Sequence, residues 1–308
     1  MERFQNILFA SFGSKEDLAA LDRANRLALA NQASLTLIRV LEDLPFAASY
    51  IMPKKRLADF QNASMNQAQH ELDELSAKLD ASVQVKTKVL FGKPFIELIR
   101  TVLSGGHDLL IKPKIPTVKD RALDSTDLHL LRKCPCPVWI IKPNQRKPFG
   151  KILIAVDPDP SDPDRLSLHA DLIKIGISLA DREKGKVEVV HAWDLEGESM
   201  FRSPRFNMSE DEIQKMANDV ESIHQKWIDA LLEPYKDKKL KVVLEKGDSG
   251  ATLVKLIEKK KPDIVVMGTV ARTGLPGLLI GNTAEYVLGQ ITCSILTLKP
   301  KGFKTPVS

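Results

Sequence analysis

Two tandem doubly wound α/β domains, each on a five-stranded parallel sheet, are what this sequence predicts, and three observations predict them. The chain repeats itself: CPVWIIKP at 136–143 returns as CSILTLKP at 293–300, and ILFA at 7–10 returns as ILIA at 152–155. Short apolar runs alternate with longer segments of helical spacing, the pattern of parallel strands covered on both faces. The 308 residues, 43% of them hydrophobic, suffice for about two domains of roughly 150 residues each. A polar seam at 144–148, ending in Pro148, divides the chain into residues 1–146 and 147–308.

The elements are clearest in the second copy. Residues 151–156 read as a strand, and 166–181 as a helix whose Leu168, Leu172, Ile175 and Leu179 recur at helical spacing. Residues 187–192 form the second strand. A long amphipathic helix follows over 209–232, opened by Ser209 with Glu212 three residues on, a capping-box pair. Strand three is 240–244, leading into a glycine as VLFG does at 89–92 in the first copy. A helix over 251–259, a strand at 264–267, a helix over 283–290 and a strand at 294–298 complete the unit. Ligands of such sheets sit outside the carboxyl ends of the strands, where strand order reverses. Asp157 closes strand one there, and the segment MGTVARTGLPGLLIGNTAE at 267–285 follows strand four.

Composition narrows the function. No run of about 18 apolar residues is present to span a bilayer, and the start MERFQNILFASFG lacks a secretory leader pattern, so no membrane association and a cytoplasmic location are expected. Three cysteines, Cys134, Cys136 and Cys293, suit a reducing compartment. Residues 1–146 carry 21 Lys and Arg against 16 Asp and Glu, whereas the remainder balances at 24 and 24. The excess is scattered apart from Lys54-Lys55-Arg56 and a looser set from Lys112 to Arg121, and aromatics are 6%. Nucleic-acid binding, which wants a concentrated basic stripe, is not expected.

Glycines at 268, 274, 277 and 281 permit close backbone approach, and the start of the last helix adds partial positive charge. With Gly268 and Thr269 at one end, Gly281, Asn282 and Thr283 at the other, and Arg272 as a cation between them, the loop reads as an anion cradle suited to phosphate. The bland alternative is that the glycines only turn the chain.

The pattern Gly268-x-x-Ala271, nine residues, Gly281-Asn282-Thr283 resembles the ATP-binding signature of the universal stress protein family. Two positions depart from it: Ala271 replaces a second glycine, and Asn282 precedes the hydroxyl residue Thr283. The phrases SGGHDL at 104–109, DLHLLRKCP at 127–135 and GNTAE at 281–285 are similar to the tandem bacterial form of that family. The resemblance implies universal-stress-protein-like domains, no enzymatic activity, and ATP or a related nucleotide, not covalently held, in the second domain. It implies that Asp157 contacts the nucleoside, that the backbone of Ala192 faces the adenine, and that Gly268 begins and Gly281, Asn282 and Thr283 close the phosphate loop. It also implies a role in survival of stress such as DNA damage, with the two halves packed as a pseudo-dimer and the chain able to pair again as a homodimer.

The first copy lacks these features. Phe12 stands where the second has Asp157, Pro113 stands opposite Gly268, and Asp124-Ser125-Thr126 replaces Gly281-Asn282-Thr283. A carboxylate there repels phosphate. This half is a degenerate scaffold, or it holds a less anionic ligand beside Phe12, Phe91 and Phe95.

Other chemistries find little support. Gly92-Lys93, Gly150-Lys151 and Gly185-Lys186 precede Pro, Ile and Val, so no Walker loop is formed. Cys134 and Cys136 have only His129 nearby as a further metal ligand, and His191 on strand two reads as a core imidazole. Two alternatives to a non-enzymatic nucleotide binder stay open. One is a slow nucleotide hydrolase in which Asp157 orients water beside a metal; the other is a carrier of an apolar, lipid-like metabolite.

Overall fold

In the computed structural model, which describes residues 4–44, 51–115, 123–142, 148–269 and 281–307, both copies fold alike. In the first, β1 (Asn6–Ser11), α1 (Glu16–Asn31), β2 (Ser34–Leu41), α2 (Lys54–Ser76), β3 (Val85–Phe91), α3 (Pro94–Gly105), β4 (Leu109–Pro113), α4 (Ser125–Lys133) and β5 (Val138–Ile141) follow one another. The second runs β6 (Lys151–Ala155), α5 (Pro163–Glu183), β7 (Lys186–Trp193), a short α6 (Glu198–Phe201), α7 (Glu210–Leu232), β8 (Lys241–Lys246), α8 (Ser249–Lys260), β9 (Ile264–Gly268), α9 (Asn282–Leu288) and β10 (Ser294–Leu298). Each expected element of the second copy is present, with no end shifted by more than three residues.

The strands form one ten-stranded sheet in the order β3-β2-β1-β4-β5-β10-β9-β6-β7-β8. Every pair is parallel except β5 with β10, which joins the halves antiparallel. The repeated phrases that reveal the duplication are therefore neighbours. Trp139 faces Leu296, its own counterpart in the other copy, while Val138 faces Thr297 and Ile140 faces Ile295. That reciprocity is the mark of a two-fold contact between like surfaces.

Central strands are buried along their whole length because helices cover both faces. On one face α1, α2, α5 and α7 pack in a single cluster that includes Leu21, Leu72, Leu172 and Ile228. On the other, α3, α4, α8 and α9 pack around Leu98, Leu131, Leu256 and Leu288. The outer strands β3 and β8 have no fully buried residue, and Lys86, Lys88 and Lys241 on them discourage edge pairing. The capping box of α7 is present as read: the Ser209 hydroxyl accepts from Glu212 N–H at 3.2 Å and the Glu212 carboxylate accepts from Ser209 N–H at 2.8 Å.

Where the halves meet, a buried ion pair joins α1 to α5. Arg23 Nη1 lies 3.2 Å from Glu183 Oε1, the guanidinium stacks 3.5 Å above the Phe149 ring, and Glu183 Oε2 accepts from Phe149 N–H at 2.9 Å. Arg182 adds a bond to the Asn31 side-chain oxygen at 3.2 Å. Lys299, after β10, donates to Leu131 O of the first half at 2.8 Å, and burial lowers its pKa to about 8. Among the described residues no helix is long and apolar enough to cross a membrane.

Candidate functional site

Strand order reverses between β9 and β6, and the second half's polar residues gather at this switch point. β6 pairs with β9 through Ile154 opposite Val266, and continuing that register sets Asp157 level with Thr269. Val156 N–H extends the pairing on the other side by donating to Val190 O at 3.0 Å, which brings Ala192, near the end of β7, beside the same mouth.

The residues expected from the sequence to form a phosphate loop are tied together at its two ends. Gly268 ends β9, Thr269 N–H donates to Leu298 O at 3.3 Å, and Gly281 N–H donates to Thr269 O at 3.0 Å. Gly281 then caps α9 with no side-chain bond to its first turn; Asn282 is exposed and Thr283 half-buried. Arg272 and Ala271 lie outside the described residues. The Thr269 side chain is 1% exposed, and its hydroxyl has no hydrogen-bond partner among the described residues. A Cβ on Gly268 would approach Leu168 Cδ2 to 3.1 Å, so α5 packs close to this turn.

Asp157 is held by α5. Asp162 caps that helix by accepting from Arg165 N–H at 3.0 Å, Pro163 occupies its first turn, and Arg165 is thereby set to pair with Asp157 and, at 3.4 Å, with Asp159. His169, one turn further, accepts from Asp157 N–H through Nδ1 at 3.4 Å; burial pulls its pKa down to about 4, so the ring is neutral. The Asp157 carboxylate stays 34% exposed.

His191 is buried, as read, yet its role goes beyond filling the core. Its Nδ1 lies 3.0 Å from Val156 O, a pure acceptor, so that nitrogen carries the proton. Its Nε2 lies 2.7 Å from His224 Nδ1, so one ring donates to the other and the two imidazoles form a hydrogen-bonded pair beside Asp157, whose Oδ1 is 3.9 Å from His191 Nδ1. His224 packs against Trp227, with ring centroids 4.7 Å apart, and both line a cavity of about 410 Å³. Its apolar wall is Leu195, Phe201, Met216, Val220 and Trp227, and its polar rim Asp157, Asp159, Asp194, Glu196 and Arg165. The rim carries four carboxylates and one guanidinium.

Sequence reasoning missed Arg165 and His224. The signal for Arg165 was the single cation closing the acidic run DPDPSDPDR at 157–165; for His224 it was the stripe Met216, Val220, His224 and Trp227 on one face of α7.

In the first half the chain's own charges occupy the corresponding places. Lys112 is fully buried, with Nζ 2.8 Å from Asp127 and 3.0 Å from Asp124, and sits 4.5 Å from the centre of the Phe12 ring. Asp124 caps α4 in a capping box with Asp127, whose carboxyl is raised in pKa by burial against the pull of Lys112. At the end of β1 the buried Asp17 accepts from Ser11 Oγ at 2.7 Å and from Gly13 N–H at 2.9 Å. Phe95 stacks on His129 at 4.2 Å. Among the described residues no group of three or more His, Cys, Asp or Glu is arranged to hold a metal ion.

Comparison with known proteins gives this architecture its kin. The model of the Universal stress protein family matches residues 3–142 and again 148–299. The chain belongs to the universal stress protein family. Its relatives include universal stress protein E of Escherichia coli (strain K12), 30% identical over 314 residues that cover 100% of this chain and 98% of that protein. A universal stress protein E homolog of Haemophilus influenzae is 26% identical over 309 residues, covering 97% and 98%. Among solved structures, a functionally unknown protein of Pseudomonas aeruginosa PAO1 superposes with a TM-score of 0.71 at 27% identity, covering 98% of this chain and 95% of its own. The tandem arrangement is thus that of full-length universal stress protein E relatives.

Proposed function

We propose that this universal stress protein binds ATP or a related nucleotide in its second domain, residues 147–308, as a non-enzymatic component of stress survival. The observation that carries the reading is the buried hydroxyl of Thr269 between Gly268 and Gly281, which has no hydrogen-bond partner among the described residues. A buried hydroxyl without a bond costs about 1–3 kcal/mol, and a phosphate oxygen in the glycine turn supplies the missing partner.

Charge sets the ligand's direction. Phosphates avoid the four-carboxylate rim and lie on the β9 side, where Gly268, Gly281, Asn282 and Thr283 offer backbone N–H, side-chain amide and hydroxyl donors; Arg272, outside the described residues, is proposed from the sequence to add a cation. A carboxylate is a good acceptor for sugar hydroxyls, which places the ribose at Asp157. The base then extends toward Ala192. Residues 1–146 serve as the scaffold half, since the Asp124 carboxylate, at the start of α4, stands where phosphates would lie.

Mass spectrometry of small molecules released from gently purified protein, with calorimetric ATP titration, tests this. Thr269→Val is expected to weaken binding roughly 10- to 100-fold, the worth of one hydrogen bond to a charged group. Gly281→Asp is expected to abolish binding by setting a carboxylate among the phosphates. Absence of nucleotide and of binding heat in the wild type would remove the reading, and a co-purifying lipid would favour the apolar wall as the true site.

A further inference from the structure

The start of α2 contradicts the electrostatics of its own helix. Lys54, Lys55 and Arg56 form the first turn, with no acidic residue among them and no side-chain cap from Pro53. Cations beside the positive end of a helix dipole are locally unfavourable. All three are exposed and make no ion pair among the described residues. Beside them Ile51 is 81% exposed and Phe60 47% exposed, and on α2 nothing is buried before Ala68. A basic, apolar helix end therefore stands clear of the sheet.

The second copy presents the opposite charge at the equivalent place. α7 begins with Glu210, Asp211 and Glu212, all exposed, and Met200 and Phe206 are each 48% exposed beside it. Arg202 pairs with Glu210 and Glu198 and Lys246 pairs with Glu198, which leaves Asp211 and Glu212 as the turn's carboxylates without an ion pair among the described residues. Because β5 and β10 are antiparallel, the strands of the two halves point in opposite directions. The starts of α2 and α7 consequently lie at opposite ends of the sheet, on the one face that α1, α2, α5 and α7 share. Lying at opposite ends, they do not face each other within one chain.

We infer that the α2 end of one chain docks on the α7 end of a second copy, with the reciprocal contact closing a two-fold dimer. Lys54, Lys55 and Arg56 face Glu210 and Asp211 across each contact, and Ile51 and Phe60 cover Phe206 and Met200. A contact of this kind closes on itself, which limits assembly at two chains.

Sedimentation and native mass spectrometry of the full chain test the dimer. The wild type is expected to dimerise, and more weakly as salt rises from about 0.1 M to about 1 M, which shortens the screening length from about 10 Å to about 3 Å. The basic variant Lys54→Glu/Lys55→Glu/Arg56→Glu and the acidic-end variant Glu210→Lys/Asp211→Lys are each expected to lose dimerisation by roughly tenfold or more. Mixed together they should form a heterodimer, a rescue that misfolding cannot produce. A monomeric wild type overturns the proposal, as does a dimer indifferent to both variants or a mixture that fails to pair. Capture of monomeric wild type by phosphatidylserine vesicles, lost in the basic variant, would instead make α2 a membrane contact.

Discussion

Replacing Glu183 by alanine is expected to destabilise the protein by about 3–5 kcal/mol, because it strands a buried guanidinium. Arg23 and Glu183 have side chains only 3% and 8% exposed, and the carboxylate also accepts from Phe149 N–H, so the substitution removes the partner of two donors together. The pair belongs to different halves, which makes it a test of whether the copies unfold as one. A single cooperative transition whose Tm falls by about 5–15 °C is the expected result in thermal unfolding. The double variant Arg23→Met/Glu183→Leu should recover most of the loss, since a well-packed apolar pair often matches a buried ion pair. A loss below about 1 kcal/mol in Glu183→Ala would show that water reaches the guanidinium and that the junction rests on β5, β10 and the shared apolar face.

That junction also marks how far the sequence could be read. Duplication, the alternation of strands and helices and the covering of both sheet faces were legible because buried parallel strands and amphipathic helices leave one-dimensional periods, down to the Ser209 and Glu212 capping box. The antiparallel meeting of β5 and β10 was not legible. An apolar run such as VWII is compatible with pairing in either direction, and only the two-fold relation between the copies decides it.

The candidate site was legible where the backbone makes it and obscure where side chains from distant elements converge. Gly268, Thr269, Gly281, Asn282 and Thr283 lie on a short stretch whose ends are tied by one backbone bond, so proximity in sequence stood in for proximity in space. Asp157 was found by its place at a strand end. The side chains around it were not, because its partners Arg165, His169 and His191, and His224 bonded to His191, come from three elements separated by up to 59 residues. In the first half the substitution of Phe12 for Asp157 was visible, but the buried Lys112 was not foreseen. A lysine in an apolar strand finds its two carboxylates only once α4 is packed over it.

His169 supplies the second large effect, and its sign follows from which state binds the proton. Burial is the leading cause that holds the folded ring near a pKa of about 4; Asp157 opposes it, while Arg165 and His191 reinforce it. In the unfolded chain the ordinary value is about 6.5. Above pH 6.5 neither state is protonated and the group contributes nothing to the pH dependence. As pH falls from about 6.5 to about 4 the unfolded chain takes up a proton that the folded chain refuses, so stability declines, by on the order of 3 kcal/mol at the lower end. The difference between wild type and His169→Gln in denaturant unfolding isolates this contribution, which should vanish at pH 7 and grow steadily with acid. Protonating Nδ1 also turns the acceptor of Asp157 N–H into a donor, so acid should release the loop that holds the Asp157 carboxylate. Weaker nucleotide binding is then expected over the same pH window. An imidazole that titrates near 6.5 by NMR in the folded protein would mean that the ring is solvated and that Asp157 is held by Arg165 without it.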